Sequence, residues 1–197
     1  MSEAAASAVP ASARDRILET AYDLFSRHGI RAVGVDTIIS TSGVAKMSLY
    51  RHFASKDELV LEFLKERERR WTDQWLRGQA EARAEDGAGR LLAIFDVFDE
   101  WFQEEDFEGC SFINVLLEFD EADHPLRLAC ATHLAYIRGM LRDFAGQAGA
   151  SDPEALAAKW HLLMKGSIVA AGEGDLQAAR RAQDLGRLLL ADELVPA

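Results

Sequence analysis

The sequence predicts an all-α protein, and three observations carry that prediction. Apolar residues recur at helical spacing, as in Ile17, Leu18, Ala21, Leu24 and Phe25. The four prolines, at positions 10, 125, 153 and 196, each fall where an element can begin or end. No stretch shows the alternation of Val, Ile, Thr and aromatic residues that marks a half-buried strand. With 197 residues, 49% of them apolar, the chain can bury a core without disulfide staples. Its two cysteines, Cys110 and Cys130, cannot build a disulfide framework and suit a reducing compartment. No apolar run approaches the roughly 20 residues that span a bilayer, and MSEAAASAVPASA at the N-terminus lacks the basic start and apolar middle of an export signal. A cytoplasmic location with no membrane contact is expected.

Each element follows from local signals. Ser12 with Asp15 reads as a capping box for the first helix, and Arg27, His28 and Gly29 supply its stop. A short helix with Val35, Ile38 and Ile39 inward leads through Ser42-Gly43-Val44 to a second short helix near Lys46 to His52, which is a helix-turn-helix pattern. Gly43 suits the positive φ of the turn. Ser55 with Glu58 is a second capping box, opening a long helix through about Arg77. Gly87 to Gly89 breaks the pattern before a helix from about Arg90 to Gln103, and an acidic loop, Glu104 to Gly109, follows. Further helices are predicted from about Ser111 to Phe119, from Pro125 to about Phe144, from Asp152-Pro153 to about Ala171 and, past Gly172 to Gly174, from Leu176 to Glu193. The Ala/Ser-rich residues 1–11 read as a disordered tail, residues 12–60 as a three-helix domain and residues 61–197 as a second helical domain.

A net charge of −11 argues against nucleic acid as a partner, but the average hides the distribution. Residues 1–65 carry eight basic and eight acidic side chains, so the remainder holds the whole excess. Between Arg31 and Lys56 lie four basic residues with only Asp36 in opposition. On a helix from Lys46 to His52, Leu49 and the following Phe53 face inward and leave Lys46, Met47, Ser48, Tyr50, Arg51 and His52 for a groove. Lys46 and Arg51 can neutralise phosphate or donate to guanine, Met47 can touch a thymine methyl, and Ser48, Tyr50 and His52 can hydrogen-bond. By spacing alone, a short polar helix is also read as a solvated connector.

Leu24-Phe25-Ser26-Arg27-His28-Gly29, then Val35-Asp36-Thr37-Ile38-Ile39, then Ser42 through Leu59, with Leu49-Tyr50-Arg51-His52-Phe53 and Ser55-Lys56-Asp57-Glu58-Leu59 as its most specific parts, closely resembles the DNA-binding domain of TetR-family (tetracycline-repressor-like) transcriptional regulators. The resemblance implies that Tyr50, His52 and Lys56 clamp the DNA backbone. It also implies a homodimer on a near-palindromic double-stranded operator, released by a small-molecule inducer. Two positions depart from the family's commonest pattern. Ala45 stands where a Ser usually caps the recognition helix and Gly34 where a Thr often caps the preceding one; an Ala cap costs about 1 kcal/mol.

Beyond residue 60 the signals are aromatic. Phe95, Phe98, Trp101 and Phe102 recur at helical spacing, with Trp71 and Trp75 before them and Phe112 and Phe119 after. Core packing accounts for most of these rings, and some are expected to line a cavity. Cys110, Asn114 and Glu118 share a helix face beside them. The candidate ligand site is therefore Trp75, Phe98, Trp101, Phe112, Asn114, Glu118 and Phe119, suited to a mostly apolar molecule. His133, Tyr136, Met140, Trp160, His161 and Met164 are further candidates. Leu156, Trp160, Leu163 and Ile168 form one apolar stripe and Leu185, Leu188 and Leu189 another. The resemblance implies that such a helix pair joins its copy in a four-helix dimer interface.

An enzyme finds little support, because G-x-S-x-G, H-E-x-x-H, G-x-x-x-x-G-K and C-x-x-C are all absent. Asp120, Glu121, Asp123 and His124 precede Pro125 and read as a helix-start loop rather than a metal site, so no metal or cofactor is expected. The alternative regulator is a redox sensor that uses Cys110, disfavoured by Glu104, Glu105, Asp106 and Glu108 nearby, which oppose a thiolate.

Overall fold

The computed structural model describes residues 12–194, so the tail expected over residues 1–11 lies outside the described residues. The described chain is helical without a strand, and it divides into two compact units between Phe63 and Leu64. Among the described residues, no helix is long and apolar enough to cross a membrane.

The first unit holds α1 (Ala13–His28), α2 (Val35–Ser42), α3 (Lys46–His52) and the start of α4 (Lys56–Arg67). Ser12 caps α1 as a full box: its hydroxyl accepts from the Asp15 amide at 3.1 Å, and the Asp15 carboxylate accepts from the Ser12 amide at 3.1 Å. Gly29 ends α1 at φ 74°, and Gly43 makes the turn between α2 and α3 at φ 65°. Ile17, Ala21, Ile38 and Leu59 are wholly buried, and Phe63 packs edge-on against Phe25 at 5.4 Å and Tyr22 at 5.6 Å. Arg14 joins Glu62 at 2.6 Å and lies 5.2 Å from the Phe53 ring centroid, tying α1 to both α3 and α4.

The second unit begins in α4, which runs on into a π-helical segment (Glu68–Arg77) and α5 (Gly78–Arg83). The single α-helix expected to Arg77 is thus widened over its second half, which carries Trp71, Thr72 and Trp75. Then follow α6 (Gly87–Trp101), α7 (Ser111–Glu118), α8 (Pro125–Gln147), α9 (Pro153–Gly172) and α10 (Ala178–Glu193). Gly87 to Gly89 is the first turn of α6 and not a break before it. Asp86 caps that turn on the Gly89 amide at 2.8 Å. A Cβ at Gly87 would lie 2.2 Å from the Phe144 carbonyl oxygen, so glycine there lets α6 meet α8 backbone to backbone.

Candidate nucleic-acid interface and C-terminal cavities

Helix α3 separates anchors from surface within seven residues. Leu49 is buried, with Phe53 just beyond, while Met47 is 75% exposed and Tyr50 43%. Lys46 and Arg51 are exposed, Ser48 and His52 half-buried. Lys46 lies 3.3 Å from Asp36 at the start of α2, a solvent-exposed pair that costs little to exchange for a phosphate. Neither Gly34 nor Ala45 provides a side-chain cap for its helix. Lys56 is placed differently from the others. Its ammonium donates to the Ile30 carbonyl and stands 6.0 Å from the Phe25 ring centroid, so this side chain braces the loop between α1 and α2.

In the second unit the aromatic stripe turns on itself. Trp71, Trp75 and Trp101 meet pairwise at 5.4 to 5.8 Å, Phe98 stands 5.5 Å from both Trp101 and Phe102, and Phe98 and Phe112 are fully buried. Phe112 packs at a tilt against His133, 5.0 Å between ring centroids, and the His133 Nδ1 pairs with Glu68. Phe119 stacks on His124 at 4.0 Å, and His124 caps α8 by accepting from the Leu126 amide at 3.3 Å. Glu118 is half-buried. Phe98, Trp101 and Phe112 are therefore buried in ring packing, while Trp75 and Phe119 stand half-buried at its edge.

Two grooves in the second unit are bordered by other residues. A groove of about 510 Å³ is lined by Phe107, Cys110, Ile113, Asn114, Ile168 and Gly174, among others. Of the seven expected ligand residues, Asn114 belongs to it, with its amide donating to the Glu108 carbonyl at 3.3 Å. The segment Phe107 to Gly109 reads in sequence only as an acidic loop; Phe107 amid carboxylates and Gly109, which turns at φ 76°, are the signals that mark it. Burial pushes the Cys110 thiol up, and carries the Cys130 thiol up to about 12. The acidic neighbours are not the cause of the Cys110 shift; desolvation is.

The two apolar stripes are also divided by burial. Leu156 and Trp160 are fully buried and Ile168 nearly so, which withdraws these three from direct contact with a second copy and places them in the core of one chain. Gly186 approaches the Trp160 ring so closely that a Cβ would lie 2.6 Å from it. Leu163 and Leu189 are half-buried. Leu185 is 51% and Leu188 69% exposed, and Leu162 and Val169, unremarked in the sequence, are exposed on α9. A groove of about 230 Å³ between α9 and α10 is lined by Leu162, Leu163 and Leu185, among others. Among the described residues no cluster of His, Cys, Asp and Glu is placed to hold a metal ion.

Residues 17–63 match the family profile described as bacterial regulatory proteins, tetR family, and residues 87–185 match the tetracyclin repressor-like C-terminal domain. The HTH-type transcriptional regulator QacR of Staphylococcus aureus is 36% identical over 70 residues, which are 36% of this chain and 37% of that protein. The chain spans only about a third of the length of the first curated relatives it matches. Solved structures extend the likeness to nearly the whole chain. A TetR-family transcriptional regulator from Streptomyces coelicolor is 27% identical over 94% of this chain and 91% of its own, with a TM-score of 0.81. A putative TetR-type regulator from Streptomyces avermitilis is 30% identical over 93% and 98%, with a TM-score of 0.82. The family is one of DNA-binding transcriptional regulators and not of enzymes. The chain is a member of the TetR family of transcriptional regulators, with a helix-turn-helix N-terminal domain and a helical C-terminal domain.

Proposed function

We propose that the protein is a homodimeric, cytoplasmic repressor that binds a near-palindromic operator through α3 and is released by a small, mostly apolar molecule held in the C-terminal domain. The observation that carries this reading is the outward face of α3, where Lys46, Met47, Tyr50 and Arg51 stand free of the core that Leu49 and Phe53 anchor. Ser48 and His52 flank that face. Lys56 contributes by bracing the α1–α2 loop and by its charge beside the start of α4, where helix amides add to the attraction for phosphate. We take residues 12–60 as the DNA-binding domain and residues 61–197 as the effector and dimerisation domain.

Two recognition helices on one duplex face require half-sites about one turn apart, roughly 34–36 Å, or a multiple of it. The dimer rests on the exposed leucines Leu162, Leu185 and Leu188, three apolar side chains that a lone chain leaves in water, with the half-buried Leu163 and Leu189 beside them. The test is selection of bound duplexes from a random pool, followed by titration of the selected site with the parent and with Leu185→Asp/Leu188→Asp. The parent should enrich an inverted repeat. The variant should run as a monomer in light scattering and lose the site-specific part of its affinity, about 10³-fold or more. Recovery of no shared sequence, or a monomer with full affinity, would refute the reading.

A further inference from the structure

Next to the 510 Å³ groove lies a crevice of about 10 Å³ that shares Cys110, Ile113 and Ile168 with it as lining. The groove is of the size of small-molecule sites, about 300–1,000 Å³, whereas the crevice has room for about one water. Leu134, Ile137 and Met164 make the crevice apolar, and Trp71, His161 and Lys165 are its polar members. Trp71 is 8% and His161 3% exposed. The indole N–H of Trp71 and Nδ1 of His161 are shut off from solvent, and neither has a hydrogen-bond partner among the described residues.

Orphaned polar atoms of this kind are rare, because a buried group left unpaired costs about 1–3 kcal/mol. Two of them in one crevice that shares a wall with the groove point to a ligand atom that satisfies them. The indole is a donor only. Burial, with Lys165 and Arg138 adding to it, holds the His161 imidazole down to about 4, so at neutral pH it offers one N–H and one lone pair and no charge. Lys165 in the crevice wall supplies another donor. Donors from Trp71, His161 and Lys165 outnumber the single imidazole lone pair, and the crevice lining holds no carboxylate to pair with a cation, so the set favours an acceptor oxygen.

We propose that the effector of the C-terminal domain is an elongated apolar molecule ending in a hydrogen-bond acceptor oxygen, carbonyl or carboxylate, whose chain lies in the groove along Ile113 and Ile168 and whose oxygen meets Trp71 and His161. This rests on the reading that the domain binds a small-molecule effector. Seating the oxygen requires the crevice to widen. Trp71 belongs to the π-helical segment, a strained form of helix that recurs at functional sites and that follows α4 without a break in the chain. Occupancy of the crevice would thus act directly on that segment.

The experiment titrates three probes with chains of ten or eleven carbons, decanoate, 2-undecanone and decyltrimethylammonium, into the full-length protein by calorimetry in the absence of DNA. One or both oxygen-bearing probes should bind at least about tenfold more tightly than the cation, the worth of one well-made hydrogen bond; which of the two binds distinguishes carboxylate from carbonyl. Trp71→Phe and His161→Leu should each weaken the preferred oxygen-bearing probe by about the same factor and leave the cation unaffected. The probe series on the unaltered protein decides the matter even if a variant fails to fold. Binding of the cation as tightly as both oxygen-bearing probes, binding of neither oxygen-bearing probe, or folded variants with undiminished affinity would overturn the proposal. Operator affinity of the same preparation is measured separately. A probe that binds with the expected preference but does not loosen the operator upholds the chemistry of the site and overturns its role in ligand-controlled release, and intact operator affinity without probe binding overturns the site while sparing the DNA-binding reading.

Discussion

The two units display their chemistry in opposite ways. In residues 12–63 the side chains proposed to meet DNA are turned outward, and the residues that hold them in place, Leu49 and Phe53, alternate with them along the same short helix. In residues 64–194 most of the conspicuous rings turn inward onto one another, and the described groove of about 510 Å³ is bordered by a loop and by helix faces that carry few of them. A recognition surface is a property of a linear stretch, since anchors and contacts interleave within it. A cavity is a property of what several distant stretches fail to fill, in an interior otherwise packed like a crystal.

A crossed pair of substitutions tests that contrast at its strongest. Phe98 is fully buried among Trp71, Trp101, Phe95 and Phe102, so Phe98→Ala should cost about 3–5 kcal/mol in urea unfolding. Arg51, exposed on α3, should leave stability within about 0.5 kcal/mol when replaced by Ala. The same Arg51→Ala should weaken operator binding by about 1–3 kcal/mol and lower the slope of log affinity against log salt by about one contact. Similar stability losses in the two variants would erase the distinction between surface and packing.

Backbone contact supplies the next test, within the second unit. Gly→Ala inside a helix normally stabilises by roughly 0.5–1 kcal/mol, and Gly139 in α8, where an added Cβ meets nothing within 4 Å, should behave so. Gly87 should show the opposite sign. Its added Cβ would stand 2.2 Å from the Phe144 oxygen and 2.5 Å from the Ala148 nitrogen, and neither backbone atom can swing away, so Gly87→Ala should destabilise by about 1–3 kcal/mol. Thermal melts of the two variants beside the parent give both signs, and a stabilised Gly87→Ala would mean that α6 and α8 do not approach as closely as described.

Gly87 also shows where sequence reading runs out. Gly29, Gly43, Ser12 with Asp15, and Asp152 with Pro153 are legible because each acts on its own few residues, and all four act as expected. Gly87 acts on Phe144, far along the chain, so in sequence it resembles a break. The same holds for the groove in the second unit: Trp75, Phe98 and Trp101 are conspicuous by type and pack on one another, whereas Phe107, Ile113 and Ile168 border the groove only because three elements converge there. Asn114 is visible because it shares a helix face with Cys110, a local property. The π-helical widening at Glu68–Arg77 carries no cap, glycine or proline that would announce it.

His161 makes the buried polar content of the second unit measurable by pH. Its folded-state value, about 4, lies below the ordinary 6.5, so the unfolded chain binds the extra proton first as pH falls. Its penalty is absent above 6.5, grows as pH falls through that value and levels off below about 4, reaching about 2 kcal/mol at pH 5. Glu66, held down to about 2 by the Arg69 guanidinium with Arg70 behind it, contributes stability that is lost only as pH falls below 4.5, so the two windows separate. Urea unfolding at pH 7 and pH 5 should show the parent weakened by that amount, and His161→Leu largely insensitive. An equal loss in both proteins would assign the dependence to other groups.

The smallest expected effect returns to α3. Its N-cap is Ala45 and that of α2 is Gly34, and neither side chain accepts a hydrogen bond from the first turn. A cap oxygen satisfies one of the otherwise open amides; exchange of Ala for Ser is worth about 1 kcal/mol, whereas exchange of Gly for a hydroxyl residue gains only a few tenths. Ala45→Ser should therefore raise the stability of the first unit by about 1 kcal/mol and Gly34→Thr by much less. Amide exchange in α3, compared with exchange in α8 as an internal reference, isolates the change from global unfolding. Slower exchange in α3 with α8 unchanged would show that the recognition helix is held by Leu49 and Phe53 with its amides open to water. If Ala45→Ser leaves α3 exchange unaltered, those amides are already satisfied in the free protein, and the packing of Leu49 and Phe53 is then not the limiting support of the helix.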